Sequence, residues 1–296
     1  MLTESINTAL LDGDNERVYE MIFGDTDPDT LEFSLEHFIA NELKARPVDL
    51  LFFELSVSAV FGIQLSNSSS IVFKFFPESY GKAHLDAVVK TQMSLFEKGF
   101  PCPKPITRCH SLCSAIGYAE ELIEGGTFQE TVEKVSLSEL AKWQYSIHTL
   151  LQNTDTKGLR RFLIPRENEE SDELAQKARK LLCAHEPRLI VGHSEWGYKC
   201  TRFENDKLVA AFDWYSLVEE DELVLLGVAA ASHWQSPYGN RTIEPKLSLM
   251  KDYVEAYQSA RGRPFNIAEK LIINAAMAYR LVQLSFPNLA QELIVE

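Results

Sequence analysis

The sequence has few cysteines and no long apolar run, and each absence excludes a class of protein. Its five cysteines are an odd number, and their spacing matches neither a disulfide framework nor a zinc ribbon, so we expect reduced thiols. No apolar run approaches the roughly 20 residues that a membrane helix needs. The first residues lack the basic start and long apolar core of a signal peptide. We therefore expect a cytoplasmic protein with no membrane segment.

Positive charge is also scarce. Lysine and arginine total 29 against 43 aspartates and glutamates, which gives a formal net charge of −14. A surface this acidic repels phosphate backbones, so nucleic acid is not an expected partner. It favours or tolerates cationic small molecules. The alternative is that the charge only keeps the protein soluble.

The 296 residues are 45% hydrophobic and 24% charged, which is ordinary for a globular protein with a large buried core. Three regions differ in pattern. Residues 1–47 show helical, amphipathic spacing and predict an N-terminal helical extension. Residues 48–122 are rich in β-branched and aromatic residues and contain one helical segment, which predicts an antiparallel sheet with a helix. Residues 123–296, beginning just before Gly125 and Gly126, are mostly helical in pattern.

A lysine stands inside a strongly apolar strand of the middle region. The segments FFELSVSAVFGIQL and SIVFKFF are joined by SNSS, which predicts a hairpin turn, and Lys74 lies in the second segment. An ammonium among phenylalanines is costly to bury unless it has a partner. Asp86 and Gln92 on the helical segment that follows are candidate partners, and the pattern does not decide between them. The alternative is an edge strand from which Lys74 points into solvent.

The stretch from Val191 to Leu217 combines residues that carry chemistry. His193 and Glu195 form a His-x-acid segment, and Cys200 follows five residues after the glutamate. Asp213 then comes directly after an apolar run and precedes Trp214. A carboxylate at the end of a strand can hold a hard cation, and the alternative is a turn or capping residue.

These features, together with GFPCPKPI and EELIEGG, resemble the aminoglycoside phosphotransferase and choline kinase family over roughly residues 50–285. The resemblance implies an α+β, two-lobed protein-kinase-like fold, with a small antiparallel-sheet N-lobe and a larger, mostly helical C-lobe. It also implies an enzyme that uses ATP and Mg²⁺. The acceptor would be a small molecule that the fold does not name, because members of such a fold serve many substrates.

The resemblance also assigns roles to residues. Glu195 would be the catalytic base, and His193 would belong to the catalytic loop as its hydrogen-bonding anchor. Asp213 would bind Mg²⁺, and Lys74 would contact the nucleotide phosphates. The adenine would be held by the main chain of three consecutive residues, Glu121, Leu122 and Ile123. No G-x-G-x-x-G loop precedes the lysine, so backbone amides near residues 56–59 would have to approach a phosphate.

Two positions depart from the family pattern. Glu195 stands where the family has Asp, and its extra methylene moves the carboxylate by about 1.5 Å. A misplacement of about 1 Å can cost on the order of 100-fold in rate. Cys200 stands where the family has a metal-binding Asn, and a thiol is a poor ligand for Mg²⁺. Lys199 could supply positive charge instead, or could be an ordinary solvated lysine.

Two main hypotheses follow from these matches and departures. The first is an ATP-dependent small-molecule phosphotransferase that transfers the γ-phosphate to a hydroxyl of an unidentified acceptor, for which a cationic small molecule is one option. The second is a catalytically weakened, pseudokinase-like binding protein of the same fold. A third hypothesis is that the resemblance is false and the chain is an α+β binding protein unrelated to this family. A homodimer formed through residues 1–47 is an additional option.

Overall fold

The computed structural model describes residues 2–129, 133–162, 172–235 and 245–294. The chain divides into two compact units. The first, here called the sheet unit, contains Met1–Met93 and Pro103–Glu124. The second, the helical unit, contains Ser94–Cys102 and Gly125–Glu296. The division into domains at residues 1–47, 48–122 and 123–296 stays a prediction.

The sheet unit begins with helices, as the amphipathic pattern predicts. These are α1 (Leu2–Ala9), α2 (Gly13–Phe23) and α3 (Pro28–Phe38), followed by a π-helical turn at Ile39–Leu43. The Asp27 carboxylate accepts a hydrogen bond from the Thr30 amide and caps α3, and Pro28 occupies the first helical position, where its missing N–H costs nothing. Leu31 and Leu35 are buried in the same apolar cluster as Phe61 of the sheet. Burial of this face therefore fixes the helices against the sheet.

Five antiparallel strands follow in the order β1-β2-β3-β5-β4. They are β1 (Pro47–Leu55), β2 (Ala59–Leu65), β3 (Ser70–Pro77), β4 (His110–Leu112) and β5 (Ala115–Glu121). Helix α4 (Lys82–Glu97) lies between β3 and β4 in the chain, and Gly99 follows it with φ of +79°. The first apolar segment forms two strands rather than one, because the chain reverses at residues 56–58, where the Ser56 amide donates to the Ser58 carbonyl at 3.0 Å.

The helical unit contains two small sheets and a set of helices. The helices are α5 (Lys134–Leu150), α6 (Glu173–Ala184), α7 (Glu222–Ser232), α8 (Leu247–Arg261), α9 (Ile267–Gln283) and α10 (Pro287–Ile294). The strands β6 (Arg160–Arg161), β7 (Leu189–His193) and β10 (Leu217–Asp221) form one sheet in the order β6-β10-β7, and β8 (Thr201–Glu204) and β9 (Lys207–Ala211) form a hairpin.

Helix α7 is the centre of the helical unit, and every one of its residues is buried. Asp221 caps its first turn, accepting from the Leu223 amide at 2.9 Å. Gly227 lets α9 pack closely, since a Cβ there would lie 2.6 Å from the Ala276 Cβ. A helix buried on all sides belongs to the core of a large unit rather than to its surface.

The predicted fold class is confirmed. An antiparallel sheet accompanied by one long helix precedes a larger helical region, as expected for an α+β protein of the kinase-like type. Among the described residues, no helix combines the length and the apolar character needed to cross a membrane.

Candidate active site

His193 joins the two segments of the helical unit that carry the predicted site residues. It ends β7, and its Nε2 lies 2.9 Å from the carbonyl oxygen of Phe212. Its Nδ1 lies 3.3 Å from the amide nitrogen of Glu195. Burial lowers the pKa of His193, so the ring is neutral. We assign the proton to Nε2, which donates to Phe212, while Nδ1 accepts from Glu195. The ring therefore ties Phe212, the residue before Asp213, to the loop that carries Glu195.

The setting of His193 suits an anchor rather than a base. The imidazole is 1% exposed, and both of its nitrogens are occupied by main-chain partners. The Ser216 hydroxyl also lies 3.1 Å from each ring nitrogen. Trp196 and Trp214 flank the ring, with centroid separations of 5.7 and 5.4 Å. Both tryptophan side chains are fully buried, so the His193 ring packs between them in the core beneath the loop that carries Glu195.

Glu195 is held by a lysine four residues later. Its Oε2 lies 2.7 Å from the Lys199 Nζ, and the glutamate and lysine side chains are 33% and 25% exposed. Burial by itself raises the pKa of Glu195, but the charge and the hydrogen bond of Lys199 outweigh it, with help from Arg280. The pKa therefore lies below its usual value, and the carboxylate is ionised at neutral pH. An ionised carboxylate can accept a proton, which the predicted base requires.

Cys200 is turned away from the surface of the loop. Its side chain is buried, and its Sγ lies 3.4 Å from the Glu195 carbonyl oxygen and 3.2 Å from that of Gly197. Burial raises the pKa of the thiol strongly, and the nearby Asp213 carboxylate raises it further. The thiol therefore stays protonated and donates to the main chain. A metal needs a thiolate, so this setting does not suit a metal ligand.

Asp213 follows β9 and has a left-handed backbone conformation, with φ of 61° and ψ of 39°. Aspartate tolerates this region better than most residues, and such conformations concentrate at functional sites. The conformation is held by Ser216, whose hydroxyl and amide donate to the Asp213 carbonyl oxygen at 2.7 and 3.0 Å. The next residue, Trp214, is also held in place, because its indole N–H donates to the Ala211 carbonyl at 2.9 Å.

The loop that carries Glu195 is anchored at the end of α7 through Gly197. A Cβ at this position would lie 2.9 Å from the His233 Cα, so the loop approaches the end of α7 as closely as its backbone allows. The Tyr198 amide then donates to the His233 carbonyl at 2.9 Å. A side chain at Gly197 would push the loop outwards. This contact and the His193 bridge together determine where Glu195 lies.

In the sheet unit, Lys74 is buried and paired. Its Nζ lies 2.7 Å from the Glu120 Oε1, and the two side chains are 6% and 1% exposed. The Gln92 side chain of α4 donates to the other Glu120 oxygen and to the Pro103 carbonyl, both at 2.8 Å. Lys74 therefore does not point into solvent from an edge strand, because β3 lies inside the sheet. The Lys74 ammonium is therefore positioned by the Glu120 carboxylate, which is itself positioned by the side-chain amide of Gln92.

Glu120, the partner of Lys74, was not predicted from the sequence, and strand pairing explains its position. Lys74 lies opposite Tyr118, so these two side chains share a face of the sheet, and Glu120 shares that face two residues further along. Asp86, the other candidate partner, pairs instead with Lys82 at 3.2 Å, and its side chain is 45% exposed. Gln92 does belong to the cluster, through Glu120.

The predicted adenine-binding segment has little donor capacity. The Glu121 amide donates to the Lys104 carbonyl at 2.9 Å, and the Leu122 amide donates to the Ser70 carbonyl at 3.1 Å. Both bonds lie within the sheet unit. An adenine held by this segment therefore cannot use these two amides, and the main-chain role predicted for Glu121, Leu122 and Ile123 stays a prediction.

A divalent ion fits this chain only in part. The Asp213 carboxylate is a hard oxygen ligand of the kind that Mg²⁺ and Ca²⁺ prefer. Among the described residues, however, no group of three or more histidine, cysteine or acidic side chains could hold a metal. An ion at Asp213 would therefore take its other ligands from phosphate oxygens and water, as Mg²⁺ commonly does.

Comparison with known proteins gives no sequence match but a clear structural one. No protein-family model matches the chain, and no curated protein matches it. Among solved structures, an amicoumacin kinase, hAmiN, in complex with AMP-PNP, Ca²⁺ and Ami superposes with a TM-score of 0.61 at 11% identity, over 98% of this chain and 89% of that one.

Two further structures show the same likeness. A putative aminoglycoside phosphotransferase from Ralstonia eutropha has a TM-score of 0.56 and 13% identity, over 88% of this chain and 95% of that one. The macrolide 2'-phosphotransferase MphH from Brachybacterium faecium has a TM-score of 0.55 and 13% identity, over 87% and 92%. The chain therefore has the fold of the aminoglycoside phosphotransferases, which confirms the likeness predicted from its motifs.

Proposed function

We propose that the protein is a small-molecule kinase that transfers the γ-phosphate of ATP to a hydroxyl group of its acceptor. The observation that carries the proposal is the His193 bridge. One buried imidazole ties the Glu195 amide to the Phe212 carbonyl, so an ionised base and the Asp213 carboxylate lie on two segments joined by a single ring. The fold supports the same reading, since its structural relatives are named as phosphotransferases and one was solved with AMP-PNP and Ca²⁺.

Each of the predicted residues has a role in the proposed reaction. The hydroxyl oxygen of the acceptor attacks the γ-phosphorus, and Glu195 accepts the proton that this hydroxyl loses. The bond from that phosphorus to the β-phosphate oxygen breaks, and its electron pair leaves with ADP. Lys74, held in place by its ion pair with Glu120, binds phosphate oxygens. Asp213 would hold a divalent ion, which when bound neutralises developing charge on the phosphates.

The class of acceptor follows from charge. The chain carries a net charge of −14, which favours hydroxyl compounds that also bear an amine, such as amino sugars and amino alcohols. A cytoplasmic location is part of the proposal and is supported by the five cysteines, all of which are free thiols.

The test is nucleotide binding with a matched control. Calorimetry with AMP-PNP and Mg²⁺ should show binding to the wild-type protein and at least a tenfold weaker affinity in Asp213→Asn. Asp206→Asn is the control, because Asp206 is an exposed aspartate with the same φ of 61°. ATP turnover is then measured with amine-bearing alcohols as acceptors. The proposal fails if the wild-type protein binds no nucleotide, or if Asp213→Asn binds it as well as Asp206→Asn does.

A second candidate is a nucleotide- or ligand-binding protein of the same fold with weakened catalysis. The environment of Cys200 favours this candidate, since a buried, protonated thiol cannot serve as a metal ligand. The two candidates differ in turnover rather than in binding. Phosphoryl transfer by the wild-type protein that is lost in Glu195→Ala supports the kinase. Nucleotide binding without phosphoryl transfer by the wild-type protein supports the second candidate, provided that the double variant Glu195→Asp, Cys200→Asn shows no transfer either.

A further inference from the structure

An arginine side chain of the β8–β9 hairpin contacts two phenylalanine rings, one of which directly precedes Asp213. The Arg202 guanidinium carbon lies over the rings of Phe128 and Phe212, at 5.1 Å from each ring centroid. Both distances are within the roughly 6 Å over which a cation is attracted to the face of an aromatic ring. A planar guanidinium can also stack on such faces, which a compact ammonium cannot do. Arg202 therefore joins the two rings.

The Phe128 side of this contact is anchored to the strand that carries Arg202. The Thr127 amide donates to the Phe203 carbonyl at 2.9 Å, and the Phe203 amide donates to the Thr127 carbonyl at 2.8 Å. Gly126 packs closely on the hairpin as well, since a Cβ there would lie 3.1 Å from the Arg202 Cβ. The main chain next to Phe128 is therefore fixed relative to β8.

The Phe212 side leads directly to the predicted metal ligand. The Phe212 amide donates to the Cys200 carbonyl at 2.8 Å, and the Phe212 carbonyl accepts from His193 Nε2 at 2.9 Å. These bonds hold its two peptide groups, whereas Arg202 contacts its half-buried ring. Asp213 follows with φ of 61°, a conformation that a residue other than glycine keeps only when its surroundings hold it. The arginine adds a side-chain restraint immediately before this residue.

We propose that Arg202 is a positioning residue for Asp213, which it holds in place by fixing the Phe212 ring. This inference rests on the proposed kinase function, because that function assigns a divalent ion to Asp213. The competing reading is that Arg202 only stabilises the hairpin. The two differ in one respect, since a positioning residue for Asp213 affects the part of nucleotide binding that depends on the ion.

That part can be measured without any assay of activity. Calorimetry gives the affinity of the full-length protein for AMP-PNP in Mg²⁺ and in EDTA, and the ratio of the two affinities is compared between variants. Arg202→Met keeps an unbranched side chain of similar reach but removes the charge and the plane. It should lower the ratio about fivefold, as expected for the loss of cation–π contacts. Its affinity in EDTA should stay within about twofold of the wild type, because Asp213 acts through the ion.

Two further variants bracket this effect. Arg202→Lys keeps the charge without the stacking plane, so its ratio should lie between those of the wild type and Arg202→Met. Lys207→Met removes a positive charge from an exposed position of the same hairpin, and as the matched control it should leave the ratio unchanged.

A double-mutant cycle shows whether Arg202 acts through Phe212. Phe212→Leu removes the aromatic face but keeps the main-chain groups that bond to Cys200 and His193, so it should also lower the ratio. In that background Arg202→Met should change the ratio by less than about twofold, because the contact it would break is already lost. Two effects that combine without any such coupling would overturn the inference.

Melting temperatures show whether the variants fold, and if Arg202→Met does not, Arg202→Gln replaces it. A wild-type ratio in the Met or Gln variant overturns the inference and leaves the proposed kinase function intact. An equal loss of affinity in Mg²⁺ and in EDTA gives such a ratio and would show a purely structural role. Wild-type protein that binds AMP-PNP equally well in both conditions also overturns the inference, because Asp213 then holds no ion. If the wild-type protein binds no AMP-PNP, both proposals fail.

Discussion

Loss of either partner of the Lys74–Glu120 ion pair should destabilise the sheet unit by more than the intact pair stabilises it. The Nζ–Oε1 distance of the pair is 2.7 Å, with 6% and 1% of the two side chains exposed. At an effective dielectric constant near 20, two unit charges at this distance attract by about 6 kcal/mol. Desolvation of the two ions costs several kcal/mol each and offsets most of that attraction. The intact pair is therefore close to neutral for stability, whereas a single remaining charge is not.

Lys74→Met should lower the free energy of unfolding by about 3–5 kcal/mol, because it leaves the Glu120 carboxylate buried without its cation. Glu120→Gln should also be destabilising, because it removes the carboxylate that lies 2.7 Å from the buried Lys74 ammonium. The double variant should be more stable than Lys74→Met alone. Glutamine at 120 carries no charge, yet its amide oxygen can still accept the hydrogen bond that Gln92 now donates to the carboxylate at 2.8 Å.

A double-mutant cycle measures this coupling. Urea unfolding followed by far-UV circular dichroism gives the free energy for the wild type, the two single variants and the double variant. We expect an interaction energy of about 2 kcal/mol or more, at the high end for residues in contact. Lys207→Met, at an exposed position on β9, is the control and should change stability by about 0.5 kcal/mol or less. Additive single effects would refute the reasoning.

Three further predictions concern the helical unit and the thiols. Gly197→Ala should lower stability by about 1–3 kcal/mol in a thermal melt, because its Cβ would lie 2.9 Å from the His233 Cα; an unchanged melting temperature would contradict the close approach. Under native conditions a thiol reagent should label only the two exposed cysteines, Cys113 and Cys183, and after unfolding it should label all five; rapid labelling of a third native thiol would be inconsistent with the structure. Because the folded pKa of Glu195 is depressed, its stabilising ion pair is present above the ordinary carboxyl pKa and is lost as pH falls through the lower folded value. The rate of phosphate transfer should therefore show no acid limb between about pH 5 and 7, and a limb in that range would count against Glu195 as the base.

The architecture was predictable because its signals are local. Alternating and β-branched residues around Lys74 predicted strands, and helical spacing after it predicted α4. The reversal at residues 56–58 was missed because two serines and a valine give a weaker turn signal than the SNSS segment does. The order of these elements was enough to suggest the kinase-like fold, although the sequence itself matches no family model.

The roles of the candidate site residues stay predictions, and the contacts of these residues were harder to predict than their positions in the fold. His193, Glu195 and Asp213 were predicted from the resemblance of their motif to that of a kinase-like family, and the structure connects their two segments through one imidazole. The partner of Lys74 was not found, because it depends on which strand lies beside β3. Strand β3 ends at Pro77, whereas its neighbour in the sheet, β5, begins only at Ala115. Pairing between strands so far apart in the chain leaves no local signal in the sequence.

The Glu195–Lys199 pair shows the intermediate case. Its four-residue spacing is visible in the sequence, but the same spacing also fits a lysine that points into solvent. The turn closed by the Cys200 thiol brings the two side chains to 2.7 Å. Only the folded loop therefore distinguishes a paired lysine from a solvated one.

Reading the sequence alone was sufficient for the fold class, for the strand that carries Lys74 and for the segments that carry Glu195 and Asp213, because hydrophobic periodicity and short motifs act over a few residues. Folding was needed to show that Glu120 neutralises Lys74, that His193 is a neutral bridge and that the Cys200 thiol faces inwards. These contacts depend on strand register and on burial, which change the charge and direction of a side chain without changing its neighbours in the chain.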